Sequence, residues 1–258
     1  MLFDTHAHYD DKKFDPDRDE VLQSLKAHEI EYAVNIGTNI PSSEYSVSIA
    51  EKYDFLYASV GIHPECADTV NDETINRLRE LCKHEKVVAI GETGLDYYWE
   101  NNPSREIQKE AFKRQIELAK ELKLPVIVHN RESTEDMVNI LKETRPEKTI
   151  IHCVSVSVEI AKILVDMDCY ISFAGTLTFK NAPKLREVAK IVPINRLLIE
   201  TDSPYLSPEP KRGSRNDSRN IMYTAEKLGE IIGLSYKEIA SITTENAKRI
   251  YNINKGDF

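Results

Sequence analysis

Cysteine is scarce in this sequence: Cys66, Cys82, Cys153 and Cys169 are the only four in 258 residues. None forms a C-x-x-C pair, which removes thiolate metal sites and thioredoxin-type chemistry, and four in so long a chain make no disulfide scaffold. Long uncharged apolar runs are absent, and with 30% charged residues no membrane partner is expected. The first residues, MLFDTHAHYDD, lack a cationic stretch followed by an apolar one, so no secretory signal is visible and a cytoplasmic location is expected. Positive charge is in deficit: 34 Lys and Arg stand against 43 Asp and Glu, a net charge of −9. That balance argues against a broad nucleic-acid-coating surface while leaving room for a local basic site. There is no Walker loop, no H-E-x-x-H, no zinc-finger spacing and no G-x-S-x-G elbow for a serine nucleophile. Internal repeats, low-complexity tracts and shifts of composition are also missing, so residues 1–258 read as one domain.

What is present is an alternation of short apolar runs with amphipathic stretches. Eight runs stand out, at residues 2–5, 32–37, 56–61, 87–91, 125–130, 149–153, 170–173 and 197–201. Most are continuously hydrophobic, as parallel strands buried on both faces require. Helical spacing fills residues 17–28, 42–53 (with Ser42 or Ser43 as cap), 105–122, 133–145, 156–166 and 182–192. In 105–122, the residues Ile107, Ala111, Phe112, Leu118, Ala119 and Leu122 mark the apolar face. The tail after Ile221 reads as helical, broken at Gly233. Eight strands alternating with helices in about 250 residues predict an α/β fold, the (β/α)8 TIM barrel. An open doubly wound sheet would want a glycine-rich turn after its first strand; Asp4-Thr5-His6-Ala7-His8 stands there instead.

The chemistry lies in where histidines and acids fall. His6 and His8 end the first strand, and His63 follows the third. Glu92 and Asp96 follow the fourth, and His129, His152 and Asp202 end the fifth, sixth and eighth. A barrel builds its active site at strand C-termini, and converging imidazoles and carboxylates are what a divalent metal requires. Residues i and i+2 of a strand share a face, so His6 and His8 can grip one ion. Glu92 has two oxygens with which to bridge ions, and His129 and His152 reach a second. Two ions sharing a carboxylate suit ester hydrolysis. A Cys153–His152 dyad is unfavourable, because adjacent strand residues face opposite ways. Each element has a plainer reading on its own: a satisfied structural histidine, a turn at Asp202-Ser203-Pro204, a solvated Glu92. Their joint occurrence at strand ends favours the metal site.

Five segments carry a family resemblance: Asp4-Thr5-His6-Ala7-His8, Gly61-Ile62-His63-Pro64, Gly91-Glu92-Thr93-Gly94-Leu95-Asp96-Tyr97-Tyr98, Pro125-Val126-Ile127-Val128-His129 and Glu200-Thr201-Asp202-Ser203-Pro204-Tyr205-Leu206. Together they resemble the TatD family of metal-dependent deoxyribonucleases, of the amidohydrolase superfamily, from Leu2 to Tyr251. The resemblance implies that His6, His8, Glu92 and Asp202 hold one ion and Glu92, His129 and His152 the other. Two positions depart from the family's pattern. Val154 stands where a phenylalanine is usual, and Ser218 stands where the late Arg-Gly-x-x-Asn-x-Pro motif has proline.

The expectation is therefore a hydrolase with two divalent ions (zinc, manganese or magnesium) that cleaves phosphodiester bonds of DNA. The resemblance implies single-stranded DNA attacked from an end, and the protein is expected to be a monomer. Asp202 is the expected base that orients and deprotonates water, with Glu92 the lesser candidate. His63, Arg131 and the basic loop residues Lys211, Arg212 and Arg215 are the expected substrate contacts. The alternative keeps the site and changes the bond: a D-aminoacyl-tRNA deacylase or another ester or amide hydrolase. A non-enzymatic scaffold would have lost at least one ligand, and all six are present.

Overall fold

The computed structural model describes residues 1–253. Eight parallel strands form one sheet in chain order: β1 (Leu2–Ala7), β2 (Ile30–Ile36), β3 (Leu56–Val60), β4 (Val87–Asp96), β5 (Val126–Arg131), β6 (Thr149–Ile151), β7 (Tyr170–Phe173) and β8 (Leu197–Ile199). Beyond β1 and β8 the first and last strands of that order meet, because Ala7 bridges Ser203 in parallel. The sheet order is that of the expected (β/α)8 barrel. All residues of β1, β3, β4, β6, β7 and β8 are buried, including the polar His6, Glu92 and Asp96, so the apolar stretches within them are covered on both faces.

Nine α-helices occur among the described residues: α1 (Arg18–Ser24), α2 (Ile40–Ala50), α3 (Asp72–Leu81), α4 (Arg105–Leu122), α5 (Thr134–Thr144), α6 (Val158–Asp166), α7 (Pro183–Ile191), α8 (Ile221–Ile232) and α9 (Tyr236–Tyr251). None is long and apolar enough to cross a membrane. The expected helix at 17–28 is shorter and ends in a 3-10 turn at Lys26–His28. Neither Ser42 nor Ser43 caps α2. Asn39 does, its side chain accepting the Ser42 N–H at 2.9 Å, while Ser42 Oγ accepts the Asn39 N–H at 3.0 Å. Ile107 is 43% exposed, outside the apolar face assigned to it, while Phe112 and Ile116 are fully buried. Helix α3 has no counterpart among the expected helices. Asn71 and Thr74 cap its start, but only Ile75 and Leu78 are buried. Gly233 breaks the tail as expected, in the left-handed conformation that ends α8.

The chain divides into two compact units. One comprises Met1–Val34 with the chain from Cys153 onward; the other is Asn35–His152, the first cut falling inside β2. In the first unit, Phe3 lies between Tyr32 and Tyr251, with ring centroids 5.5 and 5.8 Å away, and α9 is anchored by the Tyr251 hydroxyl donating to the Thr5 carbonyl. In the second, Ile36, Leu56, Ile90, Phe112, Ile116 and Ile127 are fully buried. Burying side chains of this size contributes about 1.5–3 kcal/mol each.

Candidate metal centre

In the first unit, β1 carries His6 inward and the chain beyond it carries His8, two residues on. Their Nε2 atoms stand 3.2 Å apart. Asp202 Oδ1 lies 3.7 Å from His6 Nε2 and 3.4 Å from His8 Nε2. Two imidazole nitrogens that close repel through their lone pairs unless a proton or a cation lies between them, so this donor set fits a divalent ion. Asp202 has a φ of 54°, a left-handed backbone that an aspartate tolerates better than most residues. It is held there from both sides: its N–H donates to the His6 carbonyl, and its carbonyl accepts from Tyr205 N–H, both at 2.9 Å. Beneath it, fully buried Asp4 accepts from Thr201 Oγ1 and Ser218 Oγ at 2.6 Å each and from Thr201 N at 2.9 Å. Burial pushes the Asp4 carboxyl up to about 7, against the pull of these hydrogen bonds.

In the second unit the strand register builds the site. The β4–β5 pairing shifts between Ile90 and Thr93, which lets the backbone at Glu92 depart from the ladder. Gly94 then pairs with His129. Its φ of 139° and the closeness of the His129 carbonyl leave no room for a side chain, so only glycine lets the two strands approach here. Glu92 Oε1 lies 2.7 Å from His129 Nδ1 and 2.9 Å from His152 Nε2, and these two nitrogens are 3.3 Å apart. The other nitrogen of His129, Nε2, is 3.1 Å from Asp96 Oδ2. A carboxylate on Nε2 holds a proton there, so Nδ1 faces Glu92 and His152 either as a second donor, when the imidazole is cationic, or with the lone pair that an ion would take, the arrangement by which ligating histidines are oriented. Burial lowers the His129 pKa, but the bonds to Asp96 and Glu92 outweigh it and hold it above 6.5. Burial raises that of Asp96, and the bonds from His129 and Tyr98 N–H carry it below its ordinary value. His63 lies against the same group, its Nε2 3.7 Å from Glu92 Oε1 and its ring 4.5 Å from that of His129. Burial, then the His129 charge, pulls His63 down to about 3, so it is a neutral imidazole. Its Nδ1 accepts the Glu65 N–H at 3.3 Å, which leaves Nε2 as the donor. Oxygen and nitrogen donors of Glu92, His63 and His129 lie close enough together to hold one ion.

Each unit thus offers imidazoles grouped with a carboxylate, reached by strand ends that are far apart in sequence. The family model described as TatD related DNase matches residues 3–252. The chain belongs to the TatD family. It is 49% identical over 256 residues to an uncharacterised metal-dependent hydrolase, YabD, of Bacillus subtilis, covering 98% of this chain and all of that protein. It is 37% identical over 260 residues to YcfH of Escherichia coli, another metal-dependent hydrolase, covering 98% and 97%. Among solved structures, YJJV, a TatD homologue from Escherichia coli, superposes with a TM-score of 0.92 at 29% identity, over 98% of both chains. This chain is accordingly a metal-dependent hydrolase of the TatD family with the α/β barrel fold.

Against that TatD frame, the six expected ligands fall into the two groups just described: His6, His8 and Asp202 in one unit, Glu92, His129 and His152 in the other. Glu92 lies within β4, which runs five residues past its expected end, so strand geometry fixes its backbone. The basic loop is used differently from its expected role. Arg215 makes two 2.7 Å bonds to Asp17 and lies over the Phe14 ring, and Arg219 makes two 2.8 Å bonds to Asp217. Those two cations hold the loop. Lys211 and Arg212 remain exposed, with the Arg212 guanidinium 4.2 Å over Phe179 and 3.9 Å from Glu209. Arg131 stacks on aromatic rings, 3.8 Å over Tyr98. Ser218 makes three bonds: its N–H donates to the Tyr9 hydroxyl at 3.1 Å, which a proline could not do, and its hydroxyl accepts from the Tyr9 hydroxyl and donates to Asp4, both at 2.6 Å. Val154 is buried. Sequence reasoning noted Asp96 at its strand end but gave it no task, and it passed over Asp4 and Glu200. The last is fully buried and accepts the Cys153 N–H at 2.8 Å. All three are buried acids in the motifs quoted above; acids in apolar strand ends were the available signal.

Proposed function

We propose that this TatD-family chain is a deoxyribonuclease that hydrolyses phosphodiester bonds at the ends of single-stranded DNA with two divalent ions. His6, His8 and Asp202 would hold one ion, and Glu92, His129 and His152 the other. The family resemblance adds Glu92 to the first ion's ligands. The observation that carries the metal chemistry is the commitment of His129 by Asp96. An imidazole with a proton held on one nitrogen by a carboxylate, and its other nitrogen turned to a second carboxylate and a second imidazole, is suited to ligate. The family's description supports DNA as substrate. Bound divalent ions would supply charge for the phosphate and acidify the attacking water.

The protein's own groups do the rest. Asp202 would take the proton of that water on the carboxylate oxygen not turned to His6 and His8; its backbone, pinned at both N–H and carbonyl, keeps the carboxylate in place. His63, neutral and with Nε2–H outward from its Glu65 bond, donates to a phosphate oxygen. Lys211 and Arg212 offset the repulsion that a chain of net charge −9 exerts on a polyanion. The test runs metal-stripped protein with zinc, manganese or magnesium restored, against single-stranded DNA, duplex DNA and an aminoacyl ester in parallel. Hydrolysis of single-stranded DNA dependent on added metal supports the proposal. Metal-dependent hydrolysis confined to the ester would replace it with the deacylase reading.

A further inference from the structure

Two of the largest exposed side chains in the protein are neighbours. Tyr98 is 46% and Trp99 50% exposed, their rings 4.7 Å apart and nearly perpendicular. Isolated exposed aromatics are ordinary, but these form a surface with a cation on it. The Arg131 guanidinium sits 3.8 Å over the Tyr98 ring and 5.2 Å over that of Trp99. The surface is also held in place. Tyr97 N–H donates to the Arg131 carbonyl, Tyr98 N–H to Asp96 Oδ1 and Asn102 N–H to the Trp99 carbonyl, at 2.9, 3.0 and 3.2 Å. The Asn102 amide bonds back to the Asp96 carbonyl at 3.1 Å.

Its location is informative. Tyr98 and Trp99 follow directly on Asp96, the carboxylate that orients His129. Arg131 is two residues beyond His129 on the same strand, hence on the same strand face and about 7 Å further along. A half-exposed indole face, propped edge-on by Tyr98 and flanked by one positive charge, one strand step from His129, suits a ligand that is flat on one side and anionic on the other. An unpaired nucleobase joined to its phosphate has that form, and stacking accepts any base because every base has a π face.

We propose that Tyr98, Trp99 and Arg131 form a stacking subsite for the unpaired base next to the phosphate at the metal cluster. This rests on the nuclease reading above and deepens it, since a base inside a duplex is stacked on its neighbours and cannot lie on the platform. The subsite therefore makes the protein select unpaired ends.

Trp99 is the sole tryptophan, so its fluorescence reports the platform directly. Full-length, metal-loaded protein is titrated with a hydrolysis-resistant phosphorothioate oligothymidylate, with an abasic oligomer of equal length, and with a blunt duplex. The oligothymidylate should quench Trp99 and bind about 5-fold or more tighter than the abasic strand or the duplex, neither of which should quench. Trp99→Phe should retain that preference, measured by anisotropy of labelled oligomer, and Tyr98→Ala with Trp99→Ala should abolish it. Equal quenching by the abasic strand, absence of quenching by the oligothymidylate, or a double variant that keeps its preference would overturn the subsite. Hydrolysis of a small phosphodiester lacking a base, assayed alongside, separates the two readings. If neither it nor DNA is cleaved with any ion, the nuclease proposal fails, whatever the quenching shows. Cleavage of both without base-dependent quenching removes the platform alone.

Discussion

Asp96→Ala probes the link between fold and metal most directly. In the intact protein, Asp96 Oδ2 lies 3.1 Å from His129 Nε2 and, when an ion displaces the proton on Nδ1, keeps the remaining proton on Nε2. Without that acceptor, the proton is free to move to Nδ1, where Glu92 Oε1 waits 2.7 Å away to accept it. A histidine protonated on Nδ1 toward Glu92 cannot ligate from that nitrogen, and the ion must displace the proton before binding. Losing the partner of a ligating histidine typically costs 10- to 100-fold in metal affinity, or about 1.4–2.7 kcal/mol at 1.36 kcal/mol per decade. Asp96→Asn should lose less, because its amide oxygen can still accept from Nε2. The assay is calorimetric titration of chelator-stripped protein with zinc or manganese. The expected result is one weakened site, with the site attributed to His6, His8 and Asp202 retained. Unchanged affinity in Asp96→Ala would refute the reasoning, because the tautomer of His129 would then not depend on its partner. Equal weakening of both sites would also refute it, by showing a general loosening of structure.

The remaining predictions address the base, the buried network, the basic loop and pH. Asp202→Asn should slow hydrolysis by roughly 10²- to 10⁴-fold at saturating metal, since the amide cannot take a proton; turnover near wild type would remove Asp202 from that role. Asp4→Ala leaves Thr201 N, Thr201 Oγ1 and Ser218 Oγ without their acceptor in a buried site, and should destabilise by about 2–5 kcal/mol in urea unfolding; less than 1 kcal/mol would mean that the loop repacks around the loss. Arg215→Ser should lower thermal stability by breaking the Asp17 pair. Lys211→Ser with Arg212→Ser should leave stability intact, raise KM for DNA and flatten its salt dependence; an unchanged salt slope would place the phosphate contacts elsewhere. Lys109 and Tyr97 hold the Asp136 carboxyl below its ordinary 3.8. That contribution to stability is therefore present above pH 3.8 and is lost as pH falls through the depressed folded value. Asp136→Asn should melt lower than wild type at neutral pH, and the gap should close in acid; a gap independent of pH would contradict the ion pair.

The periodic features of this protein were legible in its sequence. Runs such as Val87 to Ile90 are apolar at every position, which only a strand covered on both faces tolerates, and eight such runs alternating with helical spacing leave little but the barrel. The candidate ligands stood out for a related reason: His6, His8, His129, His152 and Asp202 are polar groups placed where apolar runs stop, and local pattern records that. Helix α3 escaped because its ten residues bury only Ile75 and Leu78, too few to mark a face among charges. What the sequence could not hold was any pairing across distance. Asp96 and His129 are 33 residues apart and meet because of the β4–β5 register, which no local period encodes. Arg215 reads as one more cation in a basic loop until Asp17, 198 residues earlier, is seen to take two of its bonds. Arg131 reads as a lone cation beyond His129 until the register sets it beside Asp96 and over Tyr98. Local pattern determines which residues are buried and which strand end carries a ligand; sheet register and chain closure determine which partner each meets, because that choice is made between residues the chain itself keeps far apart.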